Sequence, residues 1–208
     1  MLSFFLVIII SYLIGAIPFA YIMTRLITGK DVRDFGSGNV GATNAGRVLG
    51  FKYGFLVAVL DVLKAILAVN ITRSLLSPEL PEYYLLIAAL FVIIGHNWTI
   101  FLGFSGGKGV ATTCGVIFSL NPLAFLFFFI IWLIVLLLSR YVSLASIISG
   151  LSLPLIFFLL KGDIYDIIFA LIFAVLIVIR HRANINRLVN KNENKINLPF
   201  FSKKGDCQ

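Results

Sequence analysis

The sequence has few charged residues, and this scarcity excludes a soluble globular protein. Only 12% of its 208 residues are Asp, Glu, Lys or Arg, whereas 60% are hydrophobic and 20 residues are Phe. Its mean hydropathy is +1.04. A typical soluble domain has about 25% charged residues. The composition therefore predicts an all-α polytopic membrane protein, since several apolar runs approach the length of about 20 residues that a spanning helix needs.

Cysteine and histidine are also scarce, which argues against metal and nucleophilic chemistry. There are two cysteines, Cys114 and Cys207, and two histidines, His96 and His181. The sequence has no CxxC motif, no carboxylate cluster beside a histidine and no histidine near either cysteine. Metal sites and activated nucleophiles need such groupings. We expect no metal, no cofactor and no covalent enzyme intermediate.

Seven apolar segments are candidate transmembrane helices, and the third and fourth are short. A cleaved signal peptide is disfavoured for the first segment, because no basic residues precede it and its apolar run is too long. Short spans beside polar glycine-rich stretches suggest helices that stop early around a water-accessible pocket. The segments cover residues 2–23, 53–71, 83–95, 110–120, 123–138, 141–160 and 164–179.

The positions of the basic residues predict the orientation. With seven spans, 14 of the 17 lysines and arginines fall on one side, Arg73 and Lys161 fall on the other, and Lys64 lies within a span. The positive-inside rule then places the N-terminus outside and the C-terminus in the cytoplasm. Both cysteines lie on or near the reducing side, so no disulfide is expected. The net charge of +8 serves topology and contact with anionic lipids, and nothing indicates nucleic acid.

Three polar stretches fall on the predicted cytoplasmic side. They are DFGSGNVGATNAGR at 34–47, GHNWTIFLGFSGGKGVAT at 95–112 and RHRANINRL at 180–188. We expect them to converge into one site within a single membrane domain, residues 1–190, which a short basic tail, residues 191–208, follows.

The second stretch has the features of an anion site. Gly106, Gly107 and Gly109 flank Lys108 directly before a span. Glycines let backbone N–H groups approach an anion, and a helix N-terminus attracts negative charge. The G-x-x-x-x-G-K-[ST] spacing of a nucleotide-binding loop is absent. The alternative is a flexible membrane loop whose lysine only marks the inner side.

The first stretch supplies polar groups suited to a polyol phosphate. Ser37, Asn39, Thr43 and Asn44 offer hydroxyl and amide groups, and Arg47 offers a planar fork for an oxyanion pair. The alternative is an interhelical turn whose Ser and Asn side chains cap helix ends.

The third stretch contributes His181 and Asn184, three residues apart and so neighbours on a helix that continues from the last span. Histidine exchanges protons near neutral pH or, when neutral, accepts a hydrogen bond. The three arginines at 180, 182 and 187 are more simply interpreted as a stop-transfer cluster that contacts anionic lipids.

Secondary candidates are Asp61, Lys64, His96, Ser143 and Ser146. Asp61 and Lys64 share one helix face inside a span, where a structural ion pair is the default and a substrate contact the alternative. His96 is either a second proton carrier or a structural histidine. The two serines begin the sixth span, where hydroxyls usually bond the preceding helical turn.

Together, SGNVGATNAGR, GHNWTIFLGFSGGKGVAT and RHRANINRL resemble the three motifs of the bacterial acyl-phosphate-dependent glycerol-3-phosphate acyltransferases, the PlsY family. The resemblance extends to GAIPFAYIMTR and RYVSLASI and covers nearly the whole chain. One departure lies downstream. That family usually continues R-L-x-x-G-x-E, whereas here Lys191 stands at the glycine position, before Glu193.

The resemblance implies transfer of a fatty acyl group from acyl phosphate to the 1-hydroxyl of glycerol 3-phosphate, giving lysophosphatidic acid and phosphate without metal, nucleotide or acyl-CoA. The H-x-x-x-x-D signature of acyl-CoA or acyl-carrier-protein acyltransferases is missing. The position where this signature has Asp is occupied by Phe101 after His96 and by Asn186 after His181. It further implies a multi-pass protein of the bacterial inner membrane with a cytoplasmic active site and transient docking of the soluble acyl-phosphate synthase.

Two phosphate-bearing substrates require two adjacent anion sites, and this suggests roles for the motif residues. Lys108, His181, Ser37 and Asn39 are the expected catalytic residues. The expected acyl-phosphate site comprises Ser37, Gly38, Asn39, Thr43, Asn44, Gly106, Gly107 and Gly109. The expected glycerol-3-phosphate site comprises Arg47, Lys108, Ser146, His181 and Asn184. A transporter for an anionic solute and a structural scaffold are the rival interpretations, and neither accounts for all three motifs on one side.

Overall fold

The computed structural model describes residues 2–76 and 81–196, which form ten α-helices and two short 3₁₀ turns and contain no strand. The 3₁₀ turns cover Val32–Asp34 and Ile100–Leu102. The helices are α1 Leu2–Ala16, α2 Phe19–Thr28, α3 Ala42–Leu49, α4 Phe51–Leu75, α5 Tyr83–Asn97, α6 Val110–Leu120, α7 Pro122–Ser139, α8 Val142–Leu159, α9 Ile164–Arg180 and α10 Arg182–Val189.

The prediction of an all-α polytopic membrane fold is confirmed. Five segments are long and apolar enough to cross a membrane, and a sixth is obtained if α9 and α10 are taken as one bent span. Helix α6 is apolar but has only 11 residues. The expected number of seven spans includes this short helix. That number and the orientation of the termini stay predictions.

We predicted one continuous helix that ends at residue 23, but the first apolar segment is interrupted. It breaks at Ile17 and Pro18, and α2 then continues to Thr28. Proline lacks the N–H that would continue the hydrogen-bond ladder. The carbonyl groups left free at the break find side-chain donors: Lys64 donates to Ile17 O at 2.8 Å, and Thr99 donates to Ala16 O at 2.6 Å. These bonds allow irregular backbone at membrane depth.

The helices pack in a series in which α1 contacts α4, followed by α6, α7, α8 and α9. Helix α5 packs against α1, α4, α6 and α9 and so joins the two ends of the series. Helices α1 and α5 lie in near backbone contact, because a Cβ on Gly95 would lie 2.2 Å from Tyr12 O. The main apolar core includes Phe128, Phe157 and Phe173, which are fully buried.

Helix α9 does not continue through His181 and Asn184, contrary to our prediction. The chain turns by 61° between α9 and α10, with His181 at the corner. Helix α10 consequently lies across the end of the bundle against α8 and α9.

The start of the predicted tail folds back onto the domain. Ile196 N donates to Arg140 O at 2.9 Å, and the Glu193 side chain is buried. The division at residue 190 stays a prediction. Lys203, Lys204 and Cys207 lie outside the described residues.

Candidate active site

The three polar stretches meet around one cavity of about 420 Å³, as predicted. Four of its lining residues are cations and, within the described ranges, none is a carboxylate. Such a lining favours an anionic ligand. The lining residues are Ser37, Gly38, Asn39, Trp98, Ser105, Gly106, Lys108, Ile179, Arg180, Arg182, Ala183, Asn184 and Arg187.

The first glycine-rich segment is held by a single side chain, that of Asn44. Its Oδ1 accepts from Ser37 N at 2.9 Å, and its Nδ2 donates to Val32 O and Phe35 O, each at 3.0 Å. Gly36 is required here, because a Cβ would lie 2.3 Å from Asn44 Oδ1 and φ is +60°. Asn44 is 1% exposed. It was predicted to bind acyl phosphate, but its amide is occupied by the loop, so it positions Ser37 instead.

The second glycine-rich segment is held from both sides by other parts of the chain. Gly107 N donates to His96 O at 3.0 Å. On the opposite side, Arg180 donates to Gly107 O through Nε at 3.0 Å and to Gly106 O through Nη2 at 2.9 Å. The Arg180 guanidinium also lies over the Trp98 ring, 5.2 Å from its centre. Asn39 Nδ2 joins the two segments through a long bond of 3.4 Å to Gly106 O.

Gly106 lines the cavity, whereas Gly107 and Gly109 lie behind it. Gly107 was predicted to bind acyl phosphate. Its N–H already donates to His96 O, so that N–H is not free to bind an anion. Gly109 has φ of +82° and caps the N-terminus of α6. The loop therefore delivers Lys108 to the cavity at the start of that helix, where the helix dipole also favours an anion.

Lys108 and Asn184 form one hydrogen-bonded chain that ends at Glu193. Lys108 Nζ donates to Asn184 Oδ1, and Asn184 Nδ2 donates to Glu193 Oε1 at 2.7 Å. Arg187 Nε donates to Glu193 Oε2 at 2.7 Å, and Ser143 Oγ donates to Oε1 at 3.0 Å. Because Glu193 accepts from the Asn184 NH₂ group and so fixes its orientation, the Asn184 carbonyl oxygen faces Lys108.

Burial lowers the pKa of Lys108 to about 8, and the nearby Arg187, Arg47 and Arg180 act in the same direction. Burial alone would raise the pKa of Glu193, but the hydrogen bonds from Arg187, Asn184 and Ser143 outweigh it and lower that pKa. The lysine is thus a cation at pH 7 and the glutamate an anion behind it.

His181 lies buried at the corner between α9 and α10. Its Nδ1 lies 2.9 Å from Ile177 O, and since a carbonyl only accepts, Nδ1 carries the proton and Nε2 is an acceptor. Burial, followed by the Lys108 charge, lowers the pKa of His181 to about 4. The imidazole is neutral at physiological pH and offers one lone pair.

Three other predicted residues differ in their placement. Arg47 is exposed and lies beside Gly36, near the Lys108 charge. Thr43 is exposed on α3. Ser146 is buried and donates to Val142 O at 2.8 Å, one turn back on its own helix. This is the usual behaviour of a membrane serine. The serine that connects to Lys108 is instead Ser143, which bonds to Glu193.

The arginines of the third stretch are not simply lipid contacts. Arg180 holds the second glycine-rich segment and Arg187 pairs with Glu193, so contact with lipid alone does not account for these two residues. Arg180, Glu193, Trp98 and Ser105 are site residues that we did not predict. The close spacing of Arg180 to His181 was the available signal for the first of them.

The predicted structural ion pair of α4 is confirmed, with Asp61 Oδ1 2.7 Å from Lys64 Nζ. His96 Nδ1 lies 3.1 Å from the same Nζ. Within residues 2–76 and 81–196, which include this cluster, no three His, Cys, Asp or Glu side chains are grouped so as to hold a metal ion. The expected lack of a metal stays a prediction.

The chain is similar to known enzymes along nearly its full length. The family model described as glycerol-3-phosphate acyltransferase matches residues 5–191. A glycerol-3-phosphate acyltransferase of Carboxydothermus hydrogenoformans is 47% identical over 188 residues, covering 90% of this chain and 94% of that protein. Glycerol-3-phosphate acyltransferase 2 of Bacillus anthracis is 44% identical over 191 residues, covering 92% and 98%.

Two crystal structures of PlsY, an integral membrane glycerol 3-phosphate acyltransferase, share this fold. The glycerol 3-phosphate form has a TM-score of 0.88 at 42% identity, and the lysophosphatidic acid form has 0.85 at 40%. Each comparison covers 94% of this chain and 96% of the other. On this evidence the chain belongs to the glycerol-3-phosphate acyltransferase family.

Proposed function

We propose that this protein transfers a fatty acyl group from acyl phosphate to the 1-hydroxyl of glycerol 3-phosphate. The observation that carries the proposal is the cationic cavity in which all three motifs meet around Lys108. Two phosphate-bearing substrates need such a lining. Family membership supports the glycerol 3-phosphate part, and the absence of the H-x-x-x-x-D signature favours acyl phosphate over a thioester donor.

The proposed assignment of groups starts from the two glycine-rich segments. Ser37, Asn39, Thr43 and the backbone of the Gly106 and Lys108 region would hold acyl phosphate. Arg47, Lys108 and Asn184 would hold the phosphate of the acceptor, with Arg182 as a further lining cation. Ser146 and His181, although buried, stay in the proposed glycerol site beside α8 and α10.

In the reaction, the 1-hydroxyl oxygen forms a bond to the carbonyl carbon of acyl phosphate, and the bond from that carbon to the phosphate oxygen breaks. The electron pair leaves with the phosphate. The hydroxyl proton goes either to a phosphate oxygen or to Nε2 of neutral His181. Because the donor is activated, positioning and stabilisation of the oxyanion by Lys108 supply most of the rate.

The test is to incubate the detergent-purified protein with acyl phosphate and labelled glycerol 3-phosphate. We expect labelled lysophosphatidic acid and one equivalent of phosphate, with no product from acyl-CoA. A transporter would form no acylated product in detergent. Lys108→Ala should lose about 2–4 kcal/mol of transition-state stabilisation, and near-parental turnover would refute its role.

The route of the proton is tested with His181→Gln. A rate within threefold of the parent excludes histidine as the obligatory base and leaves the substrate phosphate. We also propose that the cavity faces the cytoplasm of a bacterial cell membrane, where a soluble acyl-phosphate synthase docks transiently. Labelling of cysteines introduced at Asn39 and Lys108 from each side of the membrane tests that orientation.

A further inference from the structure

A charged cluster lies inside the bundle, directly behind the second glycine-rich segment. Asp61, Lys64 and His96 are 2%, 4% and 7% exposed. Buried ion pairs seldom add stability over apolar residues of equal size, and charged groups at membrane depth usually mark a function. The proposed reaction uses none of these three residues, so the cluster needs its own explanation.

The contacts of Lys64 determine the protonation of His96. An ammonium group has three donors and no acceptor. Lys64 Nζ lies 2.7 Å from Asp61 Oδ1, 2.8 Å from Ile17 O and 3.1 Å from His96 Nδ1. Because the ammonium cannot accept, Nδ1 must accept in this contact, and Asp61 Oδ1, 3.5 Å from Nδ1, is beyond the usual length for a hydrogen bond from that nitrogen. His96 is consequently neutral with its proton on Nε2, the opposite tautomer to that of His181.

The other side of the His96 ring lies against Gly107. A Cβ on Gly107 would lie 2.0 Å from His96 Nε2 and 2.7 Å from Cε1. The backbone of His96 takes part as well, since its carbonyl accepts from Gly107 N at 3.0 Å. Arg180 binds the Gly107 carbonyl from the opposite side. The glycine is thus clamped between His96 and Arg180, one residue before Lys108.

We propose that Asp61 and Lys64 fix the orientation of His96, and that the fixed imidazole sets the position of Gly107 and so of Lys108 in the cavity. His96 is then a positioning residue and not a proton carrier. This inference rests on the proposed function, because the effect of a displaced Lys108 is measured through phosphate-substrate kinetics.

The contact between His96 and Gly107 is tested by a double-mutant cycle on kcat/KM for acyl phosphate. Gly107 is not in the left-handed region, and the three atoms nearest to an alanine Cβ at this position all belong to the His96 ring. We expect Gly107→Ala to lower kcat/KM at least tenfold in the parent. In a His96→Ala background, the same change should cost less than threefold, because the ring is gone.

Gly106→Ala is the matched control. A Cβ at Gly106 would lie 2.2 Å from His96 O, a backbone atom that remains in His96→Ala. Its cost should be the same in both backgrounds. An equal cost of Gly107→Ala in both backgrounds overturns the inference. If His96→Ala has no measurable activity, the cycle is evaluated on the melting temperature of the four proteins, with the same expected non-additivity.

The role of the ion pair is tested with Asp61→Leu combined with Lys64→Met, which removes both charges together. We expect the double variant to fold, with its melting temperature near that of the parent, and to lose at least fivefold in kcat/KM. Parental kcat/KM overturns the link from the pair to the loop. This test is informative only if the double variant folds. The tautomer of His96 in the parent protein therefore provides a second, independent measurement.

The chain has only two histidines, so nitrogen NMR of the ¹⁵N-histidine-labelled parent shows two imidazoles. We expect one ring protonated on Nε2, assigned to His96 with His96→Gln, and one protonated on Nδ1. A protonated or Nδ1–H His96 overturns the inference. An inactive parent with the expected tautomers would instead count against the proposed function alone.

Discussion

The two glycine-rich segments of the site are stabilised in different ways. In the first, Asn44 closes the loop over Val32, Phe35 and Ser37, all within 12 residues. In the second, Gly106 and Gly107 depend on Arg180, more than 70 residues away, and on His96. The first loop thus carries its own support, while the second takes its shape from the packed bundle.

This difference separates local stability from catalytic geometry. A self-closed loop retains its shape when the bundle shifts slightly, whereas the loop that presents Lys108 moves with α5 and α9. We therefore expect loss of Asn44, which closes the first segment, to affect folding as well as activity. Changes around the second segment should affect activity more than folding.

The largest expected effect is that of Arg180→Gln. The guanidinium makes three hydrogen bonds to two loop carbonyls, and glutamine cannot reproduce this fork. We expect kcat/KM to fall on the order of 100-fold, or about 3 kcal/mol, measured in detergent with both substrates. Arg73→Gln, at the far end of α4 and bonded to Ser119 O, should remain within twofold of the parent. Equal losses in the two variants would contradict the clamp.

Asn44→Ala should have the next largest effect and should act on stability. It leaves Ser37 N without its partner and removes one of the donors to Val32 O and to Phe35 O, and we expect a loss of about 2 kcal/mol in the free energy of unfolding. Chemical denaturation in detergent measures this. Asn39→Ala is the companion variant, since Asn39 makes one long bond. It should lower kcat/KM without lowering stability. If both variants lower stability equally, Asn44 is not the residue that specifically supports the loop.

The second segment contains a titrating group at the cavity, and this gives a pH dependence. The pKa of Lys108 is lowered to about 8, mainly by burial, so its ammonium is charged below that pH and loses its proton above it. We expect kcat/KM to fall about tenfold per pH unit above the pKa of the free enzyme. A pH profile of Lys108→Arg, which remains charged, should lack this decline even at reduced activity. An unchanged alkaline limb would assign the titration elsewhere.

Lys191→Gly has the smallest expected effect and concerns the turn after the third stretch. Lys191 has φ of +58°, in the left-handed region that favours glycine, and the turn closes through Asn192 N to Arg187 O at 2.7 Å. Glycine should raise the free energy of unfolding by about 1 kcal/mol. Asn190→Gly, at φ of −83°, should give no gain. A gain at both positions would contradict the role given to the left-handed conformation of residue 191, since glycine otherwise favours the unfolded chain.

Several features of the fold and the site follow from local sequence. Long apolar runs predict the helices α4 to α9 within a few residues, because a chain in lipid must satisfy its backbone within each helix. The motif residues Ser37, Asn39, Lys108 and Asn184 also reach the common cavity, as their position at one end of the bundle predicted.

Other features escaped prediction because no local pattern encodes them. The turn at His181 contains neither glycine nor proline, and only packing of α10 across the bundle produces it. Asn44 offered the same hydrogen-bonding groups as Asn39, and its burial alone decides that it serves the loop. In the sequence, Arg180 has the features of a topology signal and Glu193 those of a tail residue. Only their tertiary contacts show that both support the site.

The sequence by itself determined that this chain is a helical membrane protein with three polar motifs at one end, since hydrophobic length and charge position act residue by residue. Tertiary structure alone decided which polar group faces the cavity and which supports another. That choice depends on distances between segments far apart in the chain, where a few ångströms separate a group that binds an anion from one that holds the loop.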